Sequence, residues 1–316
     1  MKEESKLTKG IGFVLAFIVK LNFYFPQWLS YGLSLIASKL SFIINSKSSQ
    51  IIKENINLCF PNLNSIQQDR LLKAHLKQNA NMSKETAIAW LGTEKQITDK
   101  IANVAGEHLL INKRESQRPI IIAVPHIGNW EFFWHWLQLN YSAISMYSTA
   151  KFQAIDKMMY RARIRFGGQP FSTNSSGMLN ILKGLKQGKI MMILPDQAPN
   201  LGAGIYSPFF GHSAYTMTLL HRLIEKTNAQ VLFGACLRNS DNCFNIKLYE
   251  PNFNVRNPDI ESFNQSLNEQ IQSVIMETPE QYLWNYKRFK RQPFGKEIYT
   301  AERKRREQQQ IISNNN

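Results

Sequence analysis

Between residues 119 and 249, short apolar runs rich in β-branched residues alternate with amphipathic stretches. That alternation constrains this chain more than any other feature. Residues 119–124 (PIIIAV), 143–147, 190–194 (IMMIL), 230–237 and 243–249 have the length and composition of buried strands. Segments 129–139, 155–166, 175–186 and 216–226 read as helices, with Asn129 set to cap the first and Asn174 or Ser175 the third. Helical spacing also marks 65–91 and 259–277, and a polar turn at 239–242 joins the last two strands. Strands alternating with helices predict an α/β fold: a three-layer domain with a mostly parallel central sheet flanked by helices. In such sheets reactive groups gather beyond the carboxyl ends of strands, which directs attention to 124–129.

The N-terminus differs. Residues 11–19 (IGFVLAFIV) are continuously apolar, the run resumes at 21–25 after Lys20, and a second apolar stretch covers 31–44. A spanning helix needs roughly 20 mostly apolar residues, and this run is shorter and carries Lys20 and Asn22. Three readings fit: a tilted or shallow membrane anchor with Trp28 and Tyr31 at the headgroup level, a cleaved signal peptide, or a buried core helix. No clean small-residue cleavage site follows, so membrane attachment is the expectation, whether by a spanning helix or one lying in the interface. No Pro-, Gly- or Ser-rich linker and no internal repeat divides the chain. The expected organisation is anchoring helices over 1–45, one folded catalytic domain over 46–298 and a polar, disordered tail over 299–316.

Lys and Arg number 38 against 23 Asp and Glu, giving a net charge of +15, which favours an anionic partner: nucleic acid, anionic lipid or an acidic carrier protein. Helix-turn-helix, zinc-finger and RNA-recognition signatures are missing, so specific nucleic-acid binding is not expected. The cysteines Cys59, Cys236 and Cys243 form no CxxC pair, so neither a disulfide framework nor a zinc ribbon is expected. There is no phosphate-binding GxxxxGK[ST] loop, no HExxH and no GxSxG elbow. The sequence therefore asks for no metal, no cofactor and no serine nucleophile.

The segment with chemical potential is Pro125-His126-Ile127-Gly128-Asn129-Trp130-Glu131. On one continuous helix His126 and Glu131 would lie about 140° apart, so they can meet only if the chain turns between them. Gly128 permits such a turn, Asn129 begins a helix, and Glu131 falls in the first turn, where the helix dipole favours a carboxylate. A carboxylate bonded to one imidazole nitrogen fixes the tautomer and stabilises the cation formed when the other takes a proton, making His126 a general base for a hydroxyl nucleophile. Spacing alone equally allows a histidine that only hydrogen-bonds near a helix start.

HIGNWE after an apolar strand resembles the His-x4-acid motif of glycerolipid acyltransferases. More specifically, it is similar to that of the bacterial lipid A biosynthesis acyltransferases, the lauroyl and myristoyl transferases. Residues 55–61 (NINLCFP), 161–165 (RARIR), 194–197 (LPDQ), 207–211 (SPFFG) and 279–290 (PEQYLWNYKRFK) resemble further blocks of that family, in the family's order. The resemblance implies an acyltransferase of the inner membrane with its catalytic domain on the cytoplasmic side. Its donor would be an acyl thioester on acyl carrier protein, and its acceptor a hydroxyl on a lipid A precursor. Other membrane glycolipids or aminolipids as acceptors, a hydrolase of the donor thioester, and a non-enzymatic basic binding protein are the competing readings.

Carried onto this chain, the resemblance implies that His126 deprotonates the acceptor hydroxyl and that Glu131 orients and charge-stabilises His126. Arg163 would bind a substrate phosphate or the developing oxyanion, since its planar fork suits both. Asn129, Asp196 and Gln197 are further substrate-binding candidates, Asp196 to position the acceptor or its sugar. Phe209 and Phe210, together with Trp130, Phe132, Phe133, Trp134 and Trp136, supply core and walls for an acyl groove. Lys287, Arg288, Lys290 and Arg291, interleaved with Trp284, Tyr286 and Phe289, read as a basic surface for headgroup phosphates or an acidic carrier.

Overall fold

The strand–helix alternation becomes a seven-stranded sheet of order β1-β9-β8-β2-β5-β3-β4 in the computed structural model, which describes residues 6–293 and 298–299. The strands are β1 (Ile101–Ala105), β2 (Ile120–Ala123), β3 (Ala143–Tyr147), β4 (Gln169–Ser172), β5 (Ile190–Ile193), β8 (Gln230–Arg238) and β9 (Phe244–Tyr249). All neighbours are parallel except β8 and β9, whose short polar connection forces an antiparallel pair. A separate antiparallel hairpin, β6 (Gly204–Phe209) and β7 (His212–Met217), precedes β8. The expected mostly parallel sheet flanked by helices is therefore present.

Successive residues of a strand face opposite ways, and β2 shows how this builds three layers. Ile121 and Ala123 face one core with Met191, Ile193, Val231 and Phe233. It is covered by α3 (Lys47–Cys59), α9 (Ser175–Lys186), α10 (Leu219–Thr227) and α11 (Ile260–Glu277). Ile120 and Ile122 face the other core with Ile190, Met192 and Leu232. That face is covered by α4 (Ser65–Leu91), α5 (Glu94–Thr98), α6 (Glu107–Glu115) and α7 (Trp130–Asn140). Buried on both faces, β2 and β5 have no polar alternation to show, and their sequences have none.

Several boundaries differ from expectation. The helix expected from 216 begins at Leu219, because Thr216 and Met217 complete β7. The hairpin and the edge strands β1 and β4 were not read from the sequence. The expected caps hold: Asn129 on α7 and Asn174 on α9 each accept a backbone N–H. Asp259, read as the first residue of its helix, is the cap of α11. Tyr299, the first residue of the expected tail, is buried, and its hydroxyl donates to Asn55 at 2.8 Å; residues 300–316 lie outside the described residues.

The apolar N-terminus forms two helices, α1 (Lys6–Tyr24) and α2 (Gln27–Ile43), separated at Pro26. Both pack on α4, and α1 also touches α8 (Gln153–Ile164). Lys84 of α4 donates to the carbonyls of Asn22, Phe23 and Phe25, holding the end of α1. Among the described residues no helix is long and apolar enough to cross a membrane. Their outer faces nonetheless expose Phe13, Phe17, Tyr24, Trp28, Leu33, Ile36 and Ile43.

Candidate active site

β2 and β5 run parallel and in register, Ala123 opposite Ile193, and Val124 N donates to Ile193 O at 2.8 Å. Each strand ends in an apolar residue and a proline, Val124-Pro125 and Leu194-Pro195, so His126 and Asp196 emerge side by side, three positions past matched strand ends. Asp196 Oδ1 lies 2.7 Å from His126 Nδ1, and Oδ2 accepts the His126 backbone N–H at 3.0 Å. An ionised carboxylate only accepts, so Nδ1 carries the proton and Nε2 keeps its lone pair. Gln197, the next residue, lies with its side-chain amide 3.1 Å from that Nε2, and Trp130 stacks edge-on against the imidazole with centroids 4.8 Å apart. Burial pushes the Asp196 carboxyl up, but the charge and hydrogen bonds of His126 override it, with help from Arg288, and hold it below the usual carboxylate range.

The turn between His126 and α7 is fixed by its backbone. Gly128 has φ +61°, and a Cβ there would collide with the carbonyl of Cys236 in β8. Gly128 N donates to Gln281 O, Asn129 N to Cys236 O, and Leu283 N to His126 O. Asn129 is 3% exposed; its Oδ1 caps α7 on Phe132 N, and its amide reaches Glu85 at 3.4 Å. Glu85 of α4 is in turn ion-paired with the buried Arg238 of β8. Proposed from sequence as a substrate ligand, Asn129 is instead tied into this support.

Glu131 sits in the first turn of α7, as expected, but does not hold His126. It forms a two-point pair with Arg163 of α8: Nη2 to Oε1 at 2.6 Å and Nε to Oε2 at 3.3 Å. The orienting carboxylate of His126 is Asp196, because strand register delivers Asp196 to Nδ1 while the start of α7 directs Glu131 toward α8. Burial raises the Glu131 carboxyl, and Arg163 reverses this to a net lowering. Arg163 also lies over the Tyr147 ring at 5.6 Å, and its carbonyl accepts from Trp134 Nε1 at 3.1 Å. Of its neighbours, Arg161 is exposed, while Arg165 donates to the Ala89 and Trp90 carbonyls of α4.

Phe132, Phe133, Trp134 and Trp136 are core, as is Phe209, while Trp130 alone of that cluster reaches the imidazole. Of the basic residues expected to form a surface at 287–291, Arg288 is 2% exposed and belongs to the interior, while Lys290 is exposed and Lys287 and Arg291 are half-buried; Trp284 and Phe289 are buried, and Arg291 stacks on Tyr215 at 5.5 Å. Alternation of basic and aromatic residues here serves packing of the C-terminal segment onto the hairpin. Among the described residues no group of three His, Cys, Asp or Glu is placed to hold a metal ion.

Sequence reasoning placed Asp196 in the site but missed its contact with His126, 70 positions away. The signal was the repeated pattern of apolar residue, proline and polar residue after two neighbouring strands. Glu85 and Arg238 were missed entirely, since nothing local marks a polar residue as buried.

The sequence pattern of the bacterial lipid A biosynthesis acyltransferases matches residues 2–291. The lipid A biosynthesis lauroyltransferase of Escherichia coli (strain K12) is 23% identical over 288 residues, covering 90% of this chain and 92% of the relative. The lipid A biosynthesis palmitoleoyltransferase of the same organism is 23% identical over 250 residues, covering 79% and 81%. A lipid A biosynthesis acyltransferase of Haemophilus influenzae is 22% identical over 279 residues, covering 87% and 88%.

Proposed function

Because this chain belongs to the bacterial lipid A biosynthesis acyltransferase family and is an acyltransferase of that pathway, we propose that it moves an acyl chain from a carrier-protein thioester to a hydroxyl of a lipid A precursor, with His126 as the general base. The observation that carries the assignment of the base is His126 with Nδ1 locked on a buried aspartate and Nε2 left as the acceptor. Gln197 withdraws from Nε2 when the acceptor hydroxyl arrives. Nε2 takes the hydroxyl proton as the oxygen attacks the thioester carbonyl. The tetrahedral intermediate then collapses, expelling the thiolate, which recovers the proton from His126. General-base assistance of this kind contributes about 10²- to 10⁴-fold. Asp196 stabilises the imidazolium formed on the way. Arg163, held in place by Glu131, binds a phosphate of the acceptor or the developing oxyanion.

The reaction takes place at the cytoplasmic face of the inner membrane, with α1 and α2 lying in the interface. Supporting this are their exposed apolar faces, Trp28 and Tyr24 at 73% and 80% exposure, and the net charge of +15, which suits both anionic lipid and an acidic carrier.

The test is to incubate the purified chain, in a lipid-like detergent, with acyl carrier protein thioesters and a tetra-acylated lipid A precursor and to read lipid masses. A gain of one acyl chain, lost in His126→Ala, is the expected result. Thioester hydrolysis with an unchanged precursor would overturn the acceptor, and no change in either substrate would overturn the donor as well.

A further inference from the structure

The sequence blocks 55–61 and 279–290 meet beside the site, where β8 outruns its neighbour. β2 pairs with β8 only as far as Ala123 opposite Phe233, while β8 continues to Arg238. The edge left open is taken in two steps. Asn129 N donates to Cys236 O at 2.8 Å, and the side-chain amide of Gln281 closes on Arg238 through both its ends. Arg238 N donates to Oε1 at 2.8 Å, and Nε2 donates to Arg238 O at 2.9 Å. A primary amide offers an acceptor and a donor side by side, so it occupies a strand edge as a peptide group would. Gln281 is 7% exposed.

From that anchor the chain runs along both turns that carry the reactive groups. Gly128 N donates to Gln281 O at 3.0 Å, Leu283 N to His126 O at 3.0 Å, and Ile127 and Tyr282 pair in antiparallel fashion. Further on, the Tyr286 hydroxyl accepts Ala198 N at 2.9 Å, one residue past Gln197. Asn55 of α3, 2% exposed, braces this stretch by donating to Trp284 O at 2.7 Å and Tyr286 O at 2.8 Å. His126 and Gln197 stand in turns beyond the strand ends, where backbone groups need partners that the sheet does not supply. The segment 281–286 supplies them to both turns at once. We propose that it is a bracket fixing the two turns relative to each other, with Gln281 and Tyr286 as positioning residues: Gln281 sets the turn of His126, and Tyr286 sets the turn of Gln197. Their role in transfer rests on His126 being the base. A misplacement of about 1 Å between reacting groups costs up to about 10²-fold in rate.

Tyr286→Phe removes one hydroxyl and keeps the ring. Gln281→Met keeps the length of the side chain and removes both hydrogen bonds to Arg238. In the full chain in detergent, amide hydrogen exchange is read on peptides by mass spectrometry. It is expected to quicken about 5-fold over 196–198 in Tyr286→Phe and over 126–129 in Gln281→Met, and in neither variant over β2 or β5. In each, kcat should fall about 10-fold with KM unchanged. Ile224→Val in α10, an element that carries neither turn, controls for lost stability alone: its kcat should stay, and neither turn should exchange faster than the rest of the chain. Unchanged exchange at either turn overturns the bracket. Faster local exchange with a native kcat overturns the positioning role. If His126→Ala transfers at the native rate, the base assignment fails, while faster local exchange with a lowered kcat in the two variants leaves the bracket in place.

Discussion

Asp196 and Glu131 are both buried carboxylates near His126, 1% and 6% exposed, and both are held below the usual carboxylate range by the side chain that donates to them, His126 for Asp196 and Arg163 for Glu131. Their partners differ in kind. Asp196 faces a histidine that gains and loses its charge, so its field is available to whatever happens at Nε2. Glu131 faces an arginine that never titrates, so its charge is matched at all times and its service is geometric: it aims Arg163. The difference comes from chain path. Asp196 arrives by strand register beside His126, and Glu131 by the first turn of the helix that follows it. Proximity in sequence therefore pointed to the wrong carboxylate for the histidine.

The largest effect should come from breaking the first pair. Asp196→Asn keeps the size of the side chain but removes the charge that stabilises the imidazolium, and its amide can present a donor to Nδ1 and so favour the other tautomer. A loss of about 10³- to 10⁴-fold in kcat/KM is expected. If Asp196→Asn transferred at near wild-type rate while Glu131→Gln abolished transfer, the two roles would be exchanged.

Breaking the second pair should read differently. Glu131→Gln leaves Arg163 buried without its counter-charge and should cost about 3–5 kcal/mol of stability. The rate should fall about 10²-fold as Arg163 loses its aim. The double variant Glu131→Gln/Arg163→Met removes the stranded charge and should recover much of the stability but none of the activity. Urea midpoints beside initial rates distinguish the two. Recovery of activity in the double variant would show that Arg163 does not act on substrate.

Acid sharpens the comparison because it spares both carboxylates. Their charged forms are favoured, so neither pair is lost at mildly acidic pH, and the first buried groups to oppose acid are His75 and His135. Burial pushes each down to about 4. Each is fixed neutral: His75 Nδ1 pairs with Glu280 O and Nε2 with the Asn79 amide; His135 Nε2 pairs with Ala89 O and Nδ1 with the Gln138 amide. Their folded values lie below the unfolded value of about 6.5, so the unfolded chain binds more protons and stability falls as pH drops from about 6.5 toward 4. The loss is at most about 3 kcal/mol per histidine. Urea midpoints in His135→Gln should fall less steeply across this window than in the native chain; an equally steep fall would shift the acid sensitivity to the carboxylate pairs.

What could be read beforehand follows the physics of each element. β2 and β5 are legible because a doubly buried strand is apolar at every position, and α4 because 27 residues of helical spacing leave little choice. The β6–β7 hairpin was hidden by Pro208 and Gly211 and by a helical pattern that starts inside its second strand. The edge strands β1 and β4 are short and half exposed, so they carry no apolar run. In the site, His126 and the cap at Asn129 depend on local sequence and were found. The Asp196–His126 contact depends on register, and the burial of Arg288 on tertiary packing.

The smallest expected effect separates helix placement from helix stability. Asn129 and Asn174 make the same capping bond, to Phe132 N at 3.3 Å and Gly177 N at 2.9 Å, but α7 carries Glu131 and α9 carries no site residue. Replacing either with Ala should cost about 1 kcal/mol. Asn174→Ala should leave kcat and KM unchanged. Asn129→Ala should lower activity a few-fold as the start of α7 loosens its hold on the Glu131–Arg163 pair, while the acid limb of the rate stays where it is. A shifted acid limb in Asn129→Ala would mean that the two carboxylates are coupled through the turn at Gly128 and are not independent parts of the site.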